Sequence, residues 1–161
     1  MKVQSWEEAR ASIEEARKDG EVVVFTNGCF DILHSGHIQC LRSAKELGDR
    51  LLVAVNSDSS VRENKGEGRP VNSQEERAEL LAALEFVDYV IVFGEKDPSR
   101  AISFLRPDVL VKGADWEPDR IIGREEVEGW GGKVVTIPLV RGKSTSEILK
   151  RIKESTAQQE T

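Results

Sequence analysis

The sequence predicts an α/β protein with an open, doubly wound parallel sheet of about five strands, and three observations carry that expectation. Short apolar, β-branched runs recur along the chain. Helical patterns with one apolar face alternate with them. Polar or glycine-bearing turns follow the strand-like runs, where such sheets keep their ligand sites.

In order, Trp6 to Lys18 is rich in Ala and Glu and reads as a helix, with Gly20 as its stop. Val22-Val23-Val24-Phe25 is the first strand, broken by a glycine turn. Gly36 to Leu47 places Ile38, Leu41, Ala44 and Leu47 on one helical face, and Gly48 closes it. Leu51 to Val55 is the second strand. Asn56 to Pro70, polar and containing Gly66, Gly68 and Pro70, reads as a long mobile loop. Ser73 with Glu76 three residues on forms a capping box that opens a helix through Leu80, Leu81 and Leu84. Val87 to Phe93, Val109 to Val111 and Val134 to Pro138 supply strands three to five. Short helices are expected at Pro98 to Leu105 and Gly123 to Gly129. A last helix is expected from about Thr145 to Lys153, before a frayed polar tail, residues 154–161.

With 161 residues the chain is read as one domain with a core of about residues 20–153. Hydrophobic residues make up 39% and charged ones 32%, the balance of a soluble globular protein, and no run suits a signal peptide or membrane span. The expected location is cytoplasmic, with no membrane partner. Cys29 and Cys40 lack zinc or CxxC spacing and are read as reduced thiols. A net charge of −6 argues against a nucleic-acid surface, leaving a small anion as the expected partner.

The residues with chemistry fall after the strands. Thr26 to His37 follows the first, Asn56 to Arg69 the second, Lys112 to Trp116 the fourth and Arg141 to Ser146 the fifth, so four loops converge on one edge. His34 and His37, the two histidines of the chain, flank Gly36 where a strand gives way to a helix. Free backbone N–H groups and the helix dipole favour an anion there, and two imidazoles add donors, which points to phosphate chemistry. A metal site is the rival reading, but Asp31 is the one nearby third ligand, and orienting the turn through hydrogen bonds is its expected role. Cys29 has no base placed beside it and is not expected to act as a nucleophile. Lys45 is read as a solvated helix residue that could reach phosphate.

The stretch Thr26-Asn27-Gly28-Cys29-Phe30-Asp31-Ile32-Leu33-His34-Ser35-Gly36-His37 resembles the HxGH signature of the cytidylyltransferase-like nucleotidyltransferases, whose fold is Rossmann-like. Gly142-Lys143-Ser144-Thr145-Ser146 resembles their C-terminal Ile-Ser-Thr-Thr signature. Asn56-Ser57-Asp58, Lys65-Gly66-Glu67, Arg69-Pro70-Val71-Asn72, Glu76-Arg77, Val87-Asp88 and Leu110-Val111-Lys112-Gly113 are similar to one branch, the heptose 1-phosphate adenylyltransferases, over residues 20–153. That branch is often fused behind a sugar kinase; this chain resembles the stand-alone form. The turn Asn27-Gly28-Cys29 differs from the Tyr-Gly-Thr of glycerol-3-phosphate cytidylyltransferases, favouring ATP and heptose over CTP and glycerol phosphate.

What the resemblance implies is adenylyl transfer from ATP to a sugar 1-phosphate, with Mg²⁺ carried by the nucleotide phosphates and no metal ligands from the protein. The implied catalytic residues are His34, His37, Lys65, Ser144 and Thr145. Nucleotide contacts fall to Thr26, Asn27, Gly28, Cys29, Phe30, Arg77, Lys112, Gly113, Asp115, Trp116, Arg141, Gly142 and Ser146. For Arg77 the rival is an ion pair on a helix surface; for Asp115 and Trp116 it is strand capping and packing. A separate sugar kinase is the implied pathway partner, and a homodimer is allowed. Two other classes compete with this one. A silent nucleotide-binding module is expected to lack a histidine or the hydroxyl cluster, and a class I aminoacyl-tRNA synthetase needs an anticodon-binding region this chain has no room for.

Overall fold

Alternation of strand and helix returns every strand in the same direction, and the computed structural model, which describes residues 1–159, has five parallel strands in the order β3-β2-β1-β4-β5. They are β1 (Val23–Gly28), β2 (Arg50–Asn56), β3 (Tyr89–Phe93), β4 (Val109–Gly113) and β5 (Lys133–Ile137). The helices are α1 (Trp6–Lys18), α2 (Ser35–Lys45), α3 (Asp58–Lys65), α4 (Gln74–Ala82), α5 (Ser99–Leu105), α6 (Arg124–Gly129) and α7 (Thr145–Gln159), with one 3-10 turn at Pro118–Arg120. Among the described residues no helix is long and apolar enough to cross a membrane.

Because successive strand residues point to opposite faces, the apolar run of β1 supplies both halves of the core. Val23 and Phe25 pack with Ala9, Ile13 and Ala16 of α1, Ile102 and Leu105 of α5 and Val127 of α6. Val24 packs on the other face with Leu41 and Ala44 of α2 and Ala78 and Leu81 of α4. The chain builds outwards from β1 to β3, then crosses back to β4 and β5 on the other side of β1. That reversal beside β1 is a topological switch point. The register between β1 and β4 runs through Val24↔Val109 and Phe25↔Leu110 alone, whereas β1 and β2 stay paired from Val23↔Arg50 to Gly28↔Val55. Past Phe25 the two central strands are joined by side chains: the Thr26 hydroxyl donates to the Val111 carbonyl at 3.3 Å, and Lys112 Nζ donates to Asn27 Oδ1.

The structure departs from expectation in β1, which continues through Thr26 and Asn27 to Gly28 and does not end at Phe25, and in two helices. Residues 58–65, expected as loop, form α3: Ser57 accepts from the Ser60 amide at 3.2 Å, and Ser60, buried, accepts from Asn56 Nδ2 at 2.9 Å and donates to the Glu95 carbonyl at 2.8 Å. Val61 is its one buried apolar residue, so polar bonds hold this helix and no apolar period announces it. Helix α7 runs on to Gln159, past Lys153, since no glycine or proline stops it; residues 160–161 of the expected tail lie outside the described residues.

Candidate active site

The histidine signature is a capping box with imidazoles in place of the usual hydroxyl and carboxylate. His34 is the N-cap of α2, and its Nδ1 accepts from the Gly36 amide at 3.1 Å, while Nδ1 of His37 accepts from the His34 amide at 3.3 Å. With both Nδ1 atoms spent as acceptors, each neutral ring carries its proton on Nε2. The rings stack with centroids 3.7 Å apart, and Phe30 meets His37 edge-on at 5.3 Å. Phe30 has φ 48°, a left-handed turn that folds its ring onto Gly28, where an added Cβ would lie 3.0 Å from the ring.

Burial, then the neighbouring Lys143 charge, lowers the His34 pKa; burial, then His34, lowers that of His37 to about 4 from the ordinary 6.5. Both rings are therefore neutral Nε2–H donors at pH 7. The linkage has a definite sign: between about 4 and 6.5 the unfolded chain binds a proton at His37 that the folded one does not. Stability contributed by the neutral ring is complete above pH 6.5 and declines as pH falls towards 4. Urea unfolding between pH 7 and 5 is expected to show this loss, and His37→Asn, which cannot titrate, to flatten it.

The turn is fixed from below by two buried charges. Asp31, 2% exposed, accepts from Arg69 Nε at 2.7 Å and from the amides of Val71 and Asn72 at 2.8 and 3.0 Å. Burial acts to raise its pKa, but the Asn72 and Val71 amides and the Arg69 guanidinium outweigh it and hold the carboxyl below its usual range. Asp31 thus orients the turn, as its position predicts. Arg77 corrects the expectation. It is 0% exposed and donates from Nε to the Asn72 carbonyl at 3.0 Å, from Nη1 to the carbonyls of Cys29 and Asn56 at 2.6 and 2.8 Å, and from Nη2 to Asp58 at 2.8 Å. A guanidinium so enclosed is a strut between β1, β2, α3 and α4, neither a phosphate ligand nor a surface ion pair. Lys45, at the far end of α2 from His34 and His37, is paired with Asp88 at 2.6 Å.

The second signature meets the first. A Cβ on Gly36 would sit 2.8 Å from the Lys143 Cβ and 2.8 Å from the His34 ring, so only glycine lets the two segments touch. Ser144 caps α7, accepting from the Glu147 amide at 3.1 Å, and the Thr145 hydroxyl faces the Ile32 carbonyl at 3.5 Å. The start of α7 thus stands beside the histidine turn, with Thr145 partly buried there and Ser144 exposed like Arg141, Gly142 and Ser146. Gly36→Ala forces this junction apart; a destabilisation of about 1–3 kcal/mol in urea unfolding is expected, with loss of turnover larger than that figure alone explains.

Across the switch point, Lys112 has its pKa lowered to about 8 by burial, partly opposed by Asp97, and its ammonium lies 5.9 Å over the Trp116 ring. Trp116 is 46% exposed, and Asp115 is exposed beside Gly113. Lys65 ends α3, near enough to Cys29 for its charge to lower the thiol's pKa; burial is the larger influence and leaves it raised. This agrees with an inert thiol at neutral pH. The structure therefore gathers His34, His37, Ser144 and Thr145, sets Thr26, Asn27 and Lys112 at the adjoining ends of β1 and β4, and encloses Arg77 in the protein. Sequence reasoning passes over Lys143 and the strap residues Arg69 and Asn72; a carboxylate at Asp31 needing partners is the available signal for the strap.

Comparisons with known proteins agree with this geometry. The cytidylyltransferase-like family matches residues 25–151. The bifunctional protein HldE of Syntrophotalea carbinolica is 50% identical over 151 residues, which cover 94% of this chain and 31% of that protein. HldE of Salmonella paratyphi B is 52% identical over 150 residues, 93% of this chain and 31% of that one. The chain thus spans about a third of the length of these curated relatives. Among solved structures, a lipopolysaccharide core biosynthesis protein from Thermoplasma volcanium superposes with a TM-score of 0.63 at 32% identity, covering 75% of this chain and 98% of that one. Pantoate-beta-alanine ligase from Francisella tularensis, with a TM-score of 0.66 at 17% identity over 88% of this chain and 68% of that one, shares the fold alone. Two signatures joined at Gly36 and a family match through both of them lead to one conclusion: the chain belongs to the cytidylyltransferase-like family of nucleotidyltransferases.

Proposed function

We propose that the chain transfers AMP from ATP to a heptose 1-phosphate, giving ADP-heptose and pyrophosphate. An oxygen of the sugar phosphate attacks the α-phosphorus, the bond to the pyrophosphate oxygen breaks, and its electron pair leaves with pyrophosphate. The observation that carries this reading is the junction at Gly36, which sets two neutral Nε2–H donors beside the hydroxyl-bearing start of α7. Negative charge grows on the phosphate oxygens and on the leaving group, and fixed donors aimed there stabilise it.

In this reading His34 and His37 donate to the α-phosphate and leaving-group oxygens. Ser144, Thr145 and Ser146 receive the terminal phosphates, and Lys65 closes on them from the end of α3. Asn27, Lys112 and Trp116 line the nucleotide side. Among the described residues no three His, Cys, Asp or Glu side chains gather as a metal cage. The donors at this edge, N–H, hydroxyl and ammonium, suit a cation that arrives on the triphosphate and is held by its oxygens. Mg²⁺ bound in that way screens the phosphate charge.

The heptose and the choice of ATP rest on the similarity of residues 20–153 to the heptose 1-phosphate branch. The Thermoplasma volcanium relative's part in lipopolysaccharide core biosynthesis is in keeping with it. A phosphorylated acceptor also calls for a sugar kinase upstream. Pyrophosphate release across a panel of nucleotides and sugar phosphates tests the proposal: ATP with heptose 1-phosphate is expected to exceed CTP with glycerol 3-phosphate by orders of magnitude. The reverse ranking would make the chain a cytidylyltransferase for a phosphorylated alcohol.

A further inference from the structure

Lys143 occupies the first position of a signature that elsewhere reads Ile-Ser-Thr-Thr, so this chain sets a cation where that signature has an aliphatic side chain. Its backbone and Cβ are set by packing, and the rest of the side chain is exposed. Its amide donates to the Val140 carbonyl at 3.3 Å, and its Cβ abuts Gly36 closely enough that a Cβ there would lie 2.8 Å away. Among the described residues no carboxylate forms an ion pair with it, whereas Arg69 and Arg77 at the same edge are spent on Asp31 and Asp58. Its charge reaches His34, where it favours the neutral imidazole. An exposed lysine rooted beside a histidine cap, with no anionic partner from the protein, is an arrangement that gains once an anion lies between the two donors.

We propose that Lys143 is a triphosphate-binding residue of this chain, its ammonium and the Nε2–H of His34 gripping the same phosphate group. The inference rests on the nucleotidyl-transfer reading and adds to it a cation that the signature alone does not supply. Nothing in it depends on which sugar accepts the nucleotide.

Calorimetric titration of α,β-methylene-ATP, inorganic tripolyphosphate and adenosine, each with Mg²⁺, into the parent, Lys143→Met and Lys143→Arg tests it. Methionine keeps the Cβ that packs on Gly36 and removes only the charge. Expected is about a ten-fold weaker affinity of Lys143→Met for both phosphate ligands, unchanged adenosine affinity, and recovery in Lys143→Arg. Equal binding of the phosphate ligands by Lys143→Met and parent would overturn the assignment. So would a parallel loss of adenosine, which a general distortion of the cleft produces. A parent that binds no nucleoside triphosphate would instead defeat the nucleotidyl-transfer reading itself.

Discussion

Alanine at His37 is expected to lower kcat by about 10²- to 10³-fold, the usual effect of removing one fixed donor from a site where negative charge develops. Besides the donor role proposed for it, the imidazole has a structural one, since its Nδ1 accepts the His34 amide at 3.3 Å. His37→Glu separates them. Glutamate is an ordinary partner in a capping box and can take that amide, but it brings a negative charge and no donor. Its melting temperature is expected close to the parent's while turnover stays lost. Steady-state assays beside thermal melts decide the matter; a kcat within about two-fold of the parent for His37→Ala removes the ring from the chemistry.

Arg77→Met is expected to cost stability more than any substitution at the mouth of the cleft. One planar group satisfies three carbonyls and Asp58 from a fully buried position. Without it Asp58, which is 31% exposed, loses its counter-charge, and the carbonyls of Cys29, Asn56 and Asn72 lose a donor. Breaking such a buried arrangement by deleting one partner costs about 3–5 kcal/mol, measurable as the shift of the urea midpoint. The conservative change Arg77→Lys is not expected to rescue it, since a single ammonium cannot fork to acceptors on four segments. A loss below about 1 kcal/mol in Arg77→Met would show that water replaces the guanidinium and that the strut is dispensable.

Where the sequence carries a period or a cap, the fold is legible in it. The apolar strand runs, the Ser73–Glu76 box and the glycine after α1 each state a local rule that the tertiary structure keeps. The opening of α3 is hidden because its support is the Asn56–Ser60–Glu95 chain of hydrogen bonds, which leaves no periodic trace. The site divides the same way. Histidines around a glycine after a strand announce a donor cluster, whereas the burial of Arg77 depends on carbonyls brought together from remote segments. An arginine on a helix looks the same in sequence whether water or three carbonyls and a carboxylate surround it. Lys143 is silent for a related reason: its neighbour, Gly36, is remote in sequence and meets it only through the fold.

The short register between β1 and β4 leaves fewer backbone pairs at the middle of the sheet than on either side of it. There, two residue pairs, the Val23–Asp108 hydrogen bonds, one hydroxyl and one ammonium join a half that carries the histidines to a half that carries the hydroxyl cluster. A substitution at Val24 or Val109, which pair with each other at that seam, is therefore expected to alter turnover through the spacing of the two signatures without contact with either.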